Sequence, residues 1–78
     1  MDNGIPNSKK ILKVLGKRIK GLRQEKGWSQ EAMAELAAMD DCHLGEIERG
    51  EVDLSLGTLA RIAKTFEMTV SELFEGVA

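Results

Sequence analysis

Cysteine, proline and histidine each occur once in the 78 residues, and tyrosine does not occur at all. A lone thiol, Cys42, closes no disulfide within the chain, so a reducing compartment is expected and the fold must rest on its own core. No run of 18 apolar residues exists, which removes a membrane-spanning helix, and the first residues lack the apolar stretch of a secretory signal. The expected location is the cytoplasm. There is no glycine-rich phosphate loop, and His43 has no Ser or Asp placed as a convincing triad partner. An enzyme is therefore not expected, nor is a cofactor, a metal or a small-molecule ligand. Aromatics are limited to Trp28, Phe66 and Phe74, yet the hydrophobic share of 42% is that of a globular chain. Such a length makes one small domain, near the lower limit for a core without staples.

Charge is present in both signs but unevenly placed. Through Gly27 eight basic residues face Asp2 and Glu25, giving +6, whereas from Trp28 onward three basics face eleven acids, giving −8. This asymmetry permits a polyanion-binding end on an acidic body, and equally an ordinary solvated helix face.

The period of the apolar residues is helical throughout. Residues 1–8 are expected to form a flexible arm, broken by Gly4 and Pro6, and residues 9–78 a single domain. Ile11, Leu15, Ile19 and Leu22 make one stripe of a first helix that Gly27 ends. Ser29 is a natural cap for a second, with Met33, Ala34 and Ala37 inward. Asp40 or Asp41 caps a third, with Leu44 and Ile47 inward and Gly50 closing it. Ser55 caps a fourth, whose stripe is Leu56, Leu59, Ile62, Ala63 and Phe66. Thr69 and Glu72 have capping-box spacing at the start of a fifth, with Val70, Leu73 and Phe74 on its apolar side. No strand-like alternation competes, so the class is all-α. Residues 38–40 leave a tight turn between the second and third helices, a spacing suited to a helix-turn-helix at about 30–49.

The string is more specific than the spacing. The stations "LGKRIKGLR", "GWSQEAMA", "IERG", "LSLGTLARIAK" and "VSELF" occur in order over residues 15–74. Together they resemble the phage-repressor-like (Cro/XRE-type) helix-turn-helix family, and small restriction–modification controller proteins in length and layout. The resemblance implies a compact five-helix, lambda-repressor-like fold. It also implies a cytoplasmic, homodimeric transcription regulator that binds double-stranded DNA at a pseudo-palindromic operator. In such a fold the exposed positions of the third helix read base edges, which assigns Asp41, Cys42, Gly45 and Glu46. Backbone contacts fall to Ser29, Gln30, His43 and Arg49, with Lys17 and Lys20 on the basic first helix adding to them. Arg23 and Glu48 take positions that pair structurally in the family. Met68, Val70 and Phe74 are expected to be shared with a partner, while Phe66 and Leu73 face inward.

Two features run against a simple DNA reading. The segment "DDCHLGEIERG" is acidic where the reading helix falls, and Glu51 and Asp53 stand where the family often has basic residues. A protein-interaction module, of antitoxin or anti-repressor type and using that acidic face, is the alternative. Cys42 beside His43 at a helix start could be a redox switch, but Asp40 and Asp41 oppose a thiolate, so a tolerated surface residue is the better reading. The cluster Asp40, Asp41, Cys42, His43 and Glu46 lacks recognised zinc spacing. Trp28 is expected in the core rather than stacking on a base.

Overall fold

The computed structural model describes residues 8–77. Residues 1–7, most of the expected arm, lie outside the described residues. Five helices follow one another, α1 Ser8–Glu25, α2 Gln30–Leu36, α3 Asp41–Glu48, α4 Leu56–Thr65 and α5 Val70–Leu73, with no strand among the described residues. The first helix thus takes in residue 8. None of these helices is long and apolar enough to cross a membrane.

The starts are set by short polar side chains. Ser29, Asp40, Ser55 and Thr69 each lie in extended backbone and accept a hydrogen bond from an amide of the first turn. At α5 the box is reciprocal, Thr69 Oγ1 accepting from Glu72 N at 3.0 Å and Glu72 Oε1 from Thr69 N at 2.8 Å. The ends share a second device. Trp28 N donates to Arg23 O, Met39 N to Ala34 O, Glu51 N to Glu46 O and Met68 N to Ala63 O, the six-to-one bond of a Schellman motif. The left-handed residue that each motif requires is Gly27, Ala38, Gly50 and Glu67. Ala38 and Glu67 occupy it at a cost, because a Cβ crowds the following carbonyl there. At Ala38 the cost is partly offset, since its carbonyl accepts from Arg61 Nη1 at 2.9 Å and so ties the α2–α3 turn to α4.

One core lies inside the five helices, built from Leu15, Ile19, Met33, Leu44, Ile47, Ile62, Phe66 and Leu73 among others. Trp28 packs against it half-buried, its ring stacked on Phe66 with centroids 5.8 Å apart. Leu56 departs from expectation. It is 79% exposed, because as the first residue of α4 it precedes the turn whose Leu59, Ile62 and Ala63 reach the core. The short α5 is held by Arg18, which donates from Nη2 to Glu72 O at 2.9 Å and from Nε to Leu73 O at 3.2 Å. Both carbonyls lie at the C-terminal end of α5, where intrahelical donors run out.

The helix crossing that places α3 is set by Gly16. A Cβ on Gly16 would collide with the carbonyl oxygens of Ile47 and Glu48, so α1 and α3 meet backbone to backbone. Opposite glycine–alanine swaps therefore carry opposite signs. Gly16→Ala is expected to lower the unfolding free energy by about 1–3 kcal/mol through overpacking. Ala38→Gly, which relieves a left-handed alanine, is expected to raise it by about 0.5–1 kcal/mol. Urea denaturation of the two variants beside wild type checks both, and the same sign for both would contradict this account.

Candidate nucleic-acid interface

The site begins at a buried charge. Arg23, near the end of α1, is 9% exposed and Glu48, the last residue of α3, is 6% exposed. Arg23 Nε donates to Glu48 Oε2 at 2.7 Å and Nη2 to Oε1 at 3.1 Å, the fork geometry that a guanidinium offers a carboxylate. Arg23 Nη1 donates to Trp28 O at 2.8 Å, and Gln30 Nε2 donates to Glu48 Oε1 at 2.9 Å. A charge taken out of water is tolerable only when every polar atom is met, and none of the described buried side-chain N or O atoms lacks a partner. The end of α1, the start of α2 and the end of α3 are thereby locked together.

That lock positions the open face of α3. Asp41 and Cys42 are exposed on its first turn, and His43 and Glu46 are half-buried, with His43 Nδ1 3.6 Å from Glu46 Oε1. Gln30, Asp41, Cys42, Gly45, Glu46 and Arg49 border one shallow depression. Gly45, expected to read bases, borders this depression but is buried, and a Cβ there would stand 3.1 Å from Arg49 Nη1 and 3.6 Å from Gln30 Oε1. The missing side chain is what lets Gln30 and Arg49 converge over the middle of α3. Ser29 is exposed and already serves as the α2 cap, its Oγ accepting from Ala32 N at 3.0 Å.

Asp40 and then Asp41 push the Cys42 thiol up, so the thiolate needed for redox chemistry is disfavoured even at a helix start. Ligand atoms of Asp40, Asp41 and Cys42 lie within 4.8 Å of one another. Asp40 is already engaged there as the cap, accepting from Cys42 N at 2.8 Å. Arg49 leaves the far end of α3 and meets Glu51, Nε to Oε2 at 2.9 Å and Nη2 to Oε1 at 3.2 Å. On α1, Lys13, Lys17 and Lys20 are exposed and follow one another at helical spacing, beside the Gly16 and Arg23 stripe that faces α3.

The helix-turn-helix domain family matches residues 14–74. The chain belongs to that family, in its Cro/XRE-type branch. It is 40% identical over 63 residues to the HTH-type transcriptional regulator DdrOP3 of Deinococcus deserti, a match covering 81% of this chain and 49% of that protein. The chain thus spans about half the length of that regulator. Two restriction–modification controllers are similar in structure. One is C.AhdI from Aeromonas hydrophila, with 36% identity and a TM-score of 0.78 over 81% of this chain and 96% of that one. The other is C.Esp1396I, solved as a tetramer in complex with its natural 35 base-pair operator, with 31% identity and a TM-score of 0.77 over 86% of this chain and 88% of that one.

In helix-turn-helix terms, α2 and α3 form the motif and α3 is the helix that such domains lay in the major groove. Residue identities alone missed three of the ties that build it. The Gln30–Glu48 bond, the Arg61 cap on Ala38 and the Arg49–Glu51 fork all join side chains whose meeting depends on turn geometry. The acidic Glu51 two residues after Arg49, across the helix-ending Gly50, was the one available signal. Because Glu48 is buried, Glu48→Ala leaves the Arg23 charge without its partner, and the expected loss is roughly 3–5 kcal/mol. Chemical denaturation measures it, and a loss no larger than that of an exposed charge would show the lock to be dispensable.

Proposed function

We propose that this helix-turn-helix chain is a sequence-specific DNA-binding transcriptional regulator that acts as a dimer on a pseudo-palindromic operator, without catalytic chemistry of its own. One observation carries the reading. The exposed first turn of α3 borders the same depression as Gln30 at the start of α2, on a base held by Arg23 and Glu48. Recognition needs such preorganisation, because side chains that reach base edges must arrive in one register.

The roles follow from position. Asp41 and Glu46, with Cys42 between them, face base edges, where a carboxylate accepts from cytosine N4. Ser29, Gln30, His43 and Arg49 meet the sugar-phosphate backbone, and Lys17 and Lys20 supply general electrostatic attraction. Met68, Val70 and Phe74 are half-buried at the corner where α4 meets α5, while Phe66 and Leu73 are buried. The first three keep apolar area that a second copy would cover. C.Esp1396I is a tetramer on its operator, and a self-complementary pair reading two half-sites is the simplest unit consistent with that precedent.

Selection of bound sequences from a random DNA pool, repeated across salt concentrations, tests the reading. A preferred half-site repeated about 10 base pairs apart, or at a multiple of that, is expected. Lys17→Ala and Lys20→Ala should each flatten the salt dependence by roughly 0.9 in log–log slope per protomer, about 1.8 for the dimer, if each lysine neutralises one phosphate. Enrichment of no sequence, together with capture of DNA that is indifferent to both lysines, would favour the protein-interaction alternative. For the dimer, Phe74→Glu should shift sedimentation towards the monomer at micromolar concentration while leaving the helical circular dichroism intact. A wild type that stays monomeric at ~100 μM, far above the effective range of a specific regulator, sinks it.

A further inference from the structure

We propose that Glu51 limits this chain's affinity for DNA by holding the Arg49 guanidinium in the place of a phosphate. The proposal rests on the DNA-binding reading above and names a residue that reading does not use. Arg49 stands at the rim of the depression formed with Gln30, Asp41, Cys42, Gly45 and Glu46, where a basic side chain would meet the backbone of a duplex seated on α3. Its Nε–Nη2 edge is already filled. Both Glu51 carboxylate oxygens accept from it, at 2.9 Å and 3.2 Å, in the bidentate pattern that a phosphate would otherwise take.

The placement of Glu51 is built into the backbone rather than left to a wandering side chain. Glu51 N donates to Glu46 O at 3.0 Å and Gly50 N to Ile47 O at 3.0 Å, so residue 51 is the closing member of the Schellman motif that ends α3. Gly50 has a φ of +72°, and a Cβ on it would come within 2.7 Å of Lys13 Cα, so this left-handed turn packs closely on α1. The pair itself is open to solvent, with side-chain exposures of 57% and 53%, so a competing anion has access. The hydrogen bond from Arg49 holds the Glu51 carboxyl below its ordinary range. To take a phosphate through the same Nε–Nη2 edge, Arg49 must release Glu51, and a phosphate that used Nη1 instead would still meet the Glu51 carboxylate as a like charge. Both effects weaken binding without touching sequence preference.

The test compares wild type with Glu51→Gln, Arg49→Ala, the Glu51→Gln/Arg49→Ala double variant and Asp53→Asn. Binding is measured to a duplex chosen by selection and to an unrelated duplex, across salt. Glu51→Gln is expected to tighten both duplexes by roughly 1.5–5-fold per protomer, the range that an exposed ion pair's usual strength allows. It should also steepen the salt dependence by roughly 0.9 in log–log slope. The same substitution on Arg49→Ala should tighten binding distinctly less, because only the like-charge part then remains, and Asp53→Asn, which removes a charge from the same loop, should not reproduce the full effect. Equal tightening in the Arg49→Ala background, a match by Asp53→Asn, or no change in Glu51→Gln would each overturn the proposal. If wild type and every variant bind no DNA, the DNA reading has failed, and the pair is then judged on the protein alone. The Arg49 Nε–H should exchange with water more slowly in wild type than in Glu51→Gln by ¹⁵N spectroscopy, and equal rates would overturn it.

Discussion

The buried pair of Arg23 and Glu48 is the constraint to which the rest of the motif answers. Two charges removed from water have to find every one of their hydrogen bonds inside the protein, or the site costs more than it returns. Here the partners are spread along the chain: Trp28 from the first loop, Gln30 from the start of α2 and Glu48 from the end of α3. Satisfying the charges therefore fixes three segments at once. The close backbone crossing at Gly16 complements this, because it brings α1 near enough to α3 for a guanidinium to span the gap. Such a pair is weak evidence of extra stability. Its stronger consequence is register, since any slip of α3 along α1 would strand a buried charge.

Helix ends do for the loops what the buried pair does for the core. Four of the five helices stop in the same six-to-one hydrogen-bonding pattern, so each connection leaves its helix in a defined direction instead of fraying. Two of the left-handed positions are filled by residues with a side chain, Ala38 and Glu67. Ala38 sits within the turn of the motif, where Arg61 secures its carbonyl from α4. A turn that is locally costly is thus held from outside, which links the angle between α2 and α3 to the packing of the C-terminal half.

Much of this was legible in the residues. The caps at Ser29, Asp40, Ser55 and Thr69 announce themselves because a short polar side chain before an apolar period has few other uses. The inward stripe of α1 and the burial of Phe66 and Leu73 follow from helical spacing. Leu56 shows the limit: its position in the period is right for the core, but a first-turn residue lies beyond the edge of what that core can cover. Gly45 shows another. The space a side chain would fill there is used by Gln30 and Arg49, which reach it from elsewhere in the motif. Contacts of this kind depend on where turns send the chain, and one-dimensional patterns do not carry that information.

The acidity of the reading segment is also largely a property of the fold rather than of its surface. Asp40 is consumed in capping α3, Glu48 in the buried pair, and Glu51 in the fork of Arg49. Glu46 lies toward His43, so Asp41 is the acid most fully presented on the exposed first turn. A carboxylate at that point sits on the favourable end of the helix dipole. The same placement works against phosphate, because the partial positive charge that would attract an anion is already answered. Discrimination and attraction are therefore separated in space. On the DNA-binding reading proposed above, the acids of α3 would meet base edges, and the cations that would draw a polyanion in are on α1, where Lys13, Lys17 and Lys20 are exposed next to the crossing at Gly16. A domain arranged this way gains little affinity from sequence-independent contact at its reading helix. Whatever binding it achieves depends more steeply on the match between helix and groove.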